Sequence, residues 1–283
     1  MNRLKSSILA VFAVAIMFGT AIVPSASVNA QGSAALSIAP RKDYNIQPGK
    51  TINDTLLIRN IDRENPLYLS LRVIDFTSNG LDGTPKLMLD ENEPETEWSL
   101  RSILEVPKNV TIEPGQSKSI PITLTIPENQ GPGSYYSAIV YSSSAAEGGN
   151  VGLSASGVTL VFAEAAGDVD EKLDLEKIGH YDGAAKKYKL FSTKMPMRIG
   201  YTVRNEGNVT GRPFGSITIK NIFGQEKTIN NINPNKSLAL IGQTRIFEDC
   251  ILLAKEQVEF DGDRQEATTC ASPGLWPGFY TVE

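Results

Sequence analysis

The stretch from Ile112 to Tyr141, IEPGQSKSIPITLTIPENQGPGSYYSAIVY, constrains this chain more than any other. Ile120, Ile122, Leu124 and Ile126 fall on every second position with Thr123 and Thr125 between them, the period of a strand with one face in a core. From Ser117 to Ile126, at ~3.3 Å per residue, the strand runs about 33 Å and belongs to a sizeable sheet. Pro121 removes one ladder donor, which places that strand at a sheet edge or at a bulge. Pro48-Gly49, Pro114-Gly115 and Pro132-Gly133 each precede an extended run; proline presets one turn dihedral and glycine accepts the positive one. Tyr135 to Tyr141 is apolar on both faces, Tyr135, Ile139 and Tyr141 on one and Tyr136, Ala138 and Val140 on the other, as expected of a central strand. The tyrosines read as core residues with their hydroxyls at the sheet rim; a ligand-stacking platform is the sharper alternative.

The first thirty residues carry Arg3 and Lys5, then an apolar run from Ile8 to Val23, then Val28-Asn29-Ala30. That order is a secretory signal peptide with cleavage after Ala30, and Gly19 and Pro24 suit it better than a membrane span. Cleavage removes two of the 27 basic residues and none of the 32 acidic ones, so the mature chain has a net charge of −7. A mildly acidic surface collects no nucleic acid. The two cysteines, Cys250 and Cys270, lie close together in an exported chain, and a disulfide between them is favoured over two buried thiols.

After a small-residue tail, Leu36 to Pro40 is a short edge strand ended by its proline, and Ile52 to Asn60 is a strand with Leu56 and Ile58 inward. Leu67, Leu69, Leu71 and Val73 alternate with Tyr68, Ser70 and Arg72 until Ile74-Asp75-Phe76 breaks the pattern at a bulge or strand end. Thr77 to Glu97 is a long polar excursion whose acidic cluster, Asp90, Glu91, Glu93, Glu95 and Glu97, lacks the order of a calcium loop. Trp98 reads as a plug anchoring this excursion to the sheet edge, with sugar stacking as the alternative. Ser154 to Phe162 completes a first domain over 36–163, and 164–172 is a small, acidic linker. In the second domain, 173–283, Ile199, Tyr201 and Val203 alternate as a half-buried strand. Asn205-Glu206-Gly207-Asn208 turns, Ile217 and Ile219 return, and Ile251 to Glu256 is a short helix or a hairpin arm. The fold class is all-β: two Ig-like antiparallel β-sandwich domains in tandem.

Catalytic patterns are missing. The single histidine, His180, precedes Tyr181-Asp182-Gly183 in a turn-like setting without a Gly-x-Ser-x-Gly elbow. Zinc patterns built on two histidines or four cysteines cannot form, and Gly148-Gly149-Asn150 has no lysine after it to make a phosphate loop. The sequence thus offers no catalytic, cofactor or metal site, and the chain reads as non-enzymatic. Trp98, Tyr135, Tyr136 and Tyr141 are the candidates for contact with a ligand or partner.

The order Ser37-Ile38-Ala39-Pro40, Pro48-Gly49, Arg59-Asn60, Val73-Ile74-Asp75-Phe76, Trp98, Pro114-Gly115 and Pro132-Gly133-Ser134-Tyr135-Tyr136-Ser137-Ala138-Ile139 resembles the WxL-interacting protein family of bacterial surface proteins, specifically its peptidoglycan-binding domain. The resemblance covers residues 36 to 163. Asn205 to Asn208 and Pro213-Phe214-Gly215-Ser216-Ile217 resemble the Ig-like domain that follows in such proteins. It implies a non-catalytic protein at the outer face of the cell envelope, bound to cell-wall peptidoglycan or to a surface protein, with a C-terminal membrane segment. Two features depart from the family: the chain has no tandem WxL domain of its own, and Trp98-Ser99-Leu100 matches that tripeptide only by chance. The chain stops at Phe279 to Glu283, where a last strand has only begun, so a longer gene product reaching a membrane anchor is expected.

Two rivals stand beside wall binding. A module of the chaperone or adhesin-assembly type would capture a partner strand by edge pairing and needs a basic anchor for its terminal carboxylate in the cleft between the domains; Arg41 and Arg204 are the residues to try. A carbohydrate-active enzyme would need two carboxylates facing each other across a groove.

Overall fold

The computed structural model describes residues 36–90, 92–143, 156–190, 198–260, 263–276 and 278–283. The signal peptide, Glu91, Gly148-Gly149-Asn150 and Ser154 lie outside them. Residues 34–283 form one compact unit in which two β-sandwiches follow each other, and no α-helix occurs among the described residues.

The first sandwich is built from β1 (Leu36–Ser37), β2 (Arg41–Ile46), β3 (Thr51–Asn60), β4 (Leu67–Ile74), β5 (Phe76–Ser78), β6 (Pro85–Leu87), β7 (Leu104–Glu105), β8 (Asn109–Ile112), β9 (Ser117–Thr125), β10 (Gly133–Ser143) and β11 (Ser156–Ala165). One sheet has the order β1-β3-β9-β7, the other β2-β11-β10-β4-β8, and β5 and β6 form a separate ribbon. Ile120, Ile122, Leu124 and Ile126 all point into the core, where they meet Leu56 and Ile58 from β3 and Leu67, Leu69 and Leu71 from β4. Strand β9 is paired along its length by β3 but, among the described residues, on its other side only from Thr123 to Thr125, by β7 and Ile103 before it, so Pro121 costs no ladder bond on the open side. Gly49 and Gly115 sit at φ 77° and 67°, as their proline-glycine turns require.

The second sandwich comprises β12 (Leu173–Asp182), β13 (Lys187–Tyr188), β14 (Arg198–Asn205), β15 (Ile217–Asn221), β16 (Glu226–Ile229), β17 (Thr244–Cys250), β18 (Leu253–Phe260), β19 (Asp263–Cys270) and β20 (Tyr280–Val282). Its sheets have the orders β13-β12-β14-β17 and β16-β15-β20. They enclose Ile199, Tyr201, Val203, Ile217, Ile219 and Phe247, with Tyr201 stacked on Phe247 at 5.4 Å. The segment after Ile251 is a hairpin, β18 against β19, and the Cys250–Cys270 disulfide closes its base with the two Cα atoms 5.3 Å apart. By restricting the unfolded chain, a bridge of this span contributes about 3 kcal/mol.

Two sequence expectations need correction. Glu164 and Ala165 still belong to β11, paired with Ser134 and Gly133, so the connection between the sandwiches is 166–172. His180 does not lie in a turn but in β12, opposite Ile199, because the strand continues to Asp182 before it reverses. Burial and the Lys189 ammonium disfavour its charged form.

Each sandwich carries the same device at the end of a core strand. Asn60 closes β3: its Nδ2 donates to the carbonyls of Asn65 (2.8 Å) and Ile112 (3.2 Å), and its Oδ1 accepts from the Asp62 amide (3.0 Å). Asn205 closes β14 and donates to the carbonyls of Val209 (2.7 Å) and Ala239 (3.0 Å) while accepting from Gly207 (3.0 Å). Both are buried, so each satisfies backbone groups that water cannot reach. Asn205→Ala strands those groups and is expected to cost about 1–3 kcal/mol in urea unfolding, against under about 0.5 kcal/mol for the exposed Asn235→Ala.

Candidate partner-binding edge and cleft

The joint between the sandwiches begins with β10. Its inward residues Tyr135, Ile139 and Tyr141 belong to the first core, whereas Tyr136, Ala138 and Val140 face out of that sandwich and pack with Ile74, Phe76 and Phe162 against Leu238 and Leu240 of the second. The rings of Phe76, Tyr136 and Phe162 lie 5.2 to 5.9 Å apart. Backbone bonds finish the joint. The Ser134 amide donates to the Asn208 carbonyl (2.9 Å), Ser134 Oγ accepts from the Thr210 amide (2.9 Å), and Asn208 Nδ2 donates to the Pro132 carbonyl (3.1 Å). A Cβ on Gly133 would sit 2.6 Å from the Asn208 carbonyl, so this approach requires glycine.

A cavity of about 240 Å³ opens beside the joint, lined by Arg41, Phe76, Leu160, Phe162, Leu238, Leu240 and Arg245. Arg41 opens β2, which crosses from one sheet to the other after Pro40 and pairs in parallel with β11 from Leu160 to Ala165. Among the described residues nothing follows β2 in its sheet, so its far side is an edge. Alternation splits the strand's side chains. Lys42 Nζ and the Tyr44 hydroxyl both bond Asp54 Oδ2 (2.7 Å each) on the opposite sheet, which ties the edge down. Arg41 and Asp43 face the second sandwich. The Arg41 guanidinium lies 4.6 Å over the Phe162 ring and forks onto Asp43 (2.7 and 2.5 Å), and Arg212 Nη2 approaches the same carboxylate at 3.7 Å from across the joint. Two guanidiniums thus share one carboxylate; Arg41 lines this cleft, and Arg212 lines the larger opening of the second sandwich. Deeper in, Arg245 donates to the Leu238 carbonyl (2.5 Å), and burial disfavours its charged form.

The aromatic candidates have other duties. Tyr135, Tyr136 and Tyr141 are buried, so none turns a ring to solvent. The Tyr135 hydroxyl donates to the Gly131 carbonyl (2.9 Å), and Tyr141 bonds Thr159 (3.0 Å). Trp98 is half-buried, stacks on Tyr136 at 6.2 Å and accepts the Tyr136 amide on its carbonyl (2.8 Å), the geometry of a plug. Trp98 and Tyr136 meet at the joint while Tyr135 and Tyr141 point the other way, so the four make no common platform. Arg204 is exposed on β14, 3.6 Å from Glu206, and does not line the cleft. Asp43, Arg212 and Arg245 escaped the sequence reading, since they come together only once the sandwiches pack. A larger opening of about 660 Å³ lies beside β12 and β15, lined in part by Leu173, Leu175, Phe214 and Ile217 and by the charged Glu164, Lys172 and Arg212.

No family model and no curated protein matches this chain. Solved structures align with it at low identity. A Salmonella enterica SafA pilin in complex with the SafB chaperone is 11% identical over 84% of this chain and 97% of that one, with a TM-score of 0.42. The E. coli chaperone DraB is 15% identical over 82% and 96%, with a TM-score of 0.40. A structure described as a chaperone–tip adhesin complex of CFA/I fimbriae biogenesis is 12% identical over 88% and 97%, with a TM-score of 0.40. Likeness of this degree carries no argument about what the chain binds.

The tie that holds β2 is sensitive to acid. Lys42, the Tyr44 hydroxyl and the Thr55 amide hold the Asp54 carboxyl down to about 2 from its ordinary 3.8. Because this pKa is depressed in the folded state, its stabilisation is present above the ordinary value and disappears as pH falls from about 4 to about 2. Urea midpoints measured across that window are expected to drop more steeply for the wild type than for Asp54→Asn.

Proposed function

We propose that this chain is an exported, non-catalytic protein of the cell envelope that takes up an extended polypeptide segment along the edge of β2 and holds its terminal carboxylate between Arg41 and Arg212. The observation that carries this reading is the position of Arg41: it begins an edge strand and faces the cleft, with a second guanidinium beside it. An edge strand presents a row of backbone donors and acceptors that an incoming strand satisfies without any change in the sheet. Six residues from Arg41 to Ile46 give about 20 Å of pairing. A segment running antiparallel to β2 brings its C-terminus to Arg41. Guanidinium groups bind carboxylates with paired, charge-assisted bonds, and Asp43 fills that role in the unbound protein.

The resemblance to the WxL-interacting protein family enters as the proposed setting, a surface protein associated with the wall. The polypeptide reading is preferred to wall polymer for the first sandwich because its four aromatic candidates are engaged in packing.

The test uses an eight-residue peptide of alternating valine and threonine, prepared with a free C-terminal carboxylate or as the amide and followed by fluorescence anisotropy. The acid is expected to bind about tenfold more tightly than the amide, one charge-assisted pair's worth. Arg212→Ala, at a half-exposed position that the fold does not need, is expected to remove most of that preference. Equal binding of acid and amide would sink the carboxylate anchor, and retention on purified peptidoglycan without peptide binding would put wall polymer in the partner's place.

A further inference from the structure

The ribbon formed by β18 and β19 stands outside both sandwiches. Leu253 pairs with Cys270 and Phe260 with Asp263, and among the described residues neither strand pairs with anything but the other. Neither contributes a residue to an apolar cluster among the described residues. Lys255 and Glu256, adjacent in β18 and so on opposite faces of the ribbon, are both exposed, as are Leu253, Gln257, Glu266 and Thr268. The Lys255–Glu266 ion pair (2.7 Å) is open to water and adds little. A two-stranded ribbon without a core of its own is marginal in water.

What holds its feet is covalent. The Cys250–Cys270 bridge joins the end of β17 to the end of β19, and beside it the Ala271 amide donates to the Leu252 carbonyl (2.9 Å). The sandwich is anchored separately. Ile251 and Leu275, which flank the ribbon in the chain, are both buried in its core, and β17 pairs with β14 from Thr244 to Cys250. Both cysteines are partly exposed, so a small thiol reaches the bridge.

We propose that this ribbon is a redox-gated arm, ordered while the bridge is intact and released when an external dithiol reduces it, with the second sandwich remaining folded. A thiolate of the reductant attacks one bridge sulfur and the S–S bond breaks; the reductant's second thiol then displaces the mixed disulfide. Two electrons and two protons pass to Cys250 and Cys270, which become thiols, and the reductant leaves as its own disulfide. An exported chain therefore presents the arm as a fixed pair of open strand edges only where the surroundings are oxidising. Neither β2 nor Arg41 takes part, so the arm is independent of peptide capture.

The test is hydrogen–deuterium exchange of the secreted chain, without its leader, before and after reduction of the folded protein with dithiothreitol and capping of both thiols with iodoacetamide. The amides of 253–260 and 263–270 that bond across the ribbon are expected to exchange at least about tenfold faster after reduction, whereas those of β14 and β17 remain protected. The double variant Cys250→Ala, Cys270→Ala is expected to show the same pattern without a cap; should it fail to fold, the reduced wild type answers the same question. Arm amides that keep their protection after reduction overturn the inference, because the ribbon then needs no bridge. So does exchange in β14 and β17 as free as the arm's, which would make the bridge a staple of the sandwich, and so does a bridge that dithiothreitol leaves intact in the folded protein.

Discussion

Strand β10 has no solvent face, and the rest of the molecule is arranged around that constraint. Its inward side chains complete the first core, but Tyr136, Ala138 and Val140 leave an apolar outer surface that the second sandwich must cover. Tyr136, Phe76, Phe162, Leu238 and Leu240 are all buried at this joint, and a large apolar side chain contributes about 1.5–3 kcal/mol on full burial. The ion pairs spanning the same joint, Asp82 with Lys186 and Asp43 with Arg212, are largely exposed to water, which screens them, so they add little. Apolar burial therefore sets how the sandwiches meet, and the charges are placed by it. Arg41 and Arg212 flank one carboxylate because β10 needed a cover.

A buried polar hub holds the joint from below. Asp75, almost fully enclosed, accepts Ser99 Oγ (2.7 Å), Ser137 Oγ (2.9 Å) and the Thr96 amide (3.1 Å), while Ser137 Oγ also accepts the Leu100 amide (2.8 Å). A carboxyl in such surroundings is costly unless its oxygens are bonded, and these donors meet that need. The same bonds draw residues 96 to 100 down onto β10 and so seat Trp98 on Tyr136. Burial, and secondarily the charge of Asp75, pushes the Tyr136 hydroxyl well above its ordinary pKa. The interruption at Ile74-Asp75-Phe76 is the place where one chain leaves a sheet and gains a polar anchor at the same residue.

Much of this was legible in the residues themselves. Alternation identified the inward members of β3, β4 and β9, the two-sided pattern put β10 at the sheet's centre, and Pro121 put β9 beside an open edge. The cysteine spacing foretold the bridge, and the structure resolves the segment behind it as a hairpin rather than a helix. Other features depend on contacts between residues far apart in the chain. Nothing local to Asp43, Arg212 or Arg245 announces that they converge, and His180 read as a turn residue because Asp182-Gly183 follows it closely. One signal was present and unused: Arg59-Asn60 and Arg204-Asn205 both end a core strand, and both asparagines tie their strand's exit to a distant carbonyl. Aromatic type alone does not mark a site here, since Tyr135, Tyr136 and Tyr141 are consumed by the core and the joint.

The edge of β2 gives the account its most direct test. Hydrogen–deuterium exchange of the backbone amides from Arg41 to Ile46, measured with and without saturating acid-ended peptide, reports whether an incoming strand pairs there. Slower exchange confined to β2 and the adjoining β11, with β8 at the opposite edge of the sheet unchanged, is the predicted result. Protection that appears at β12 or β15 while β2 exchanges as before would contradict it.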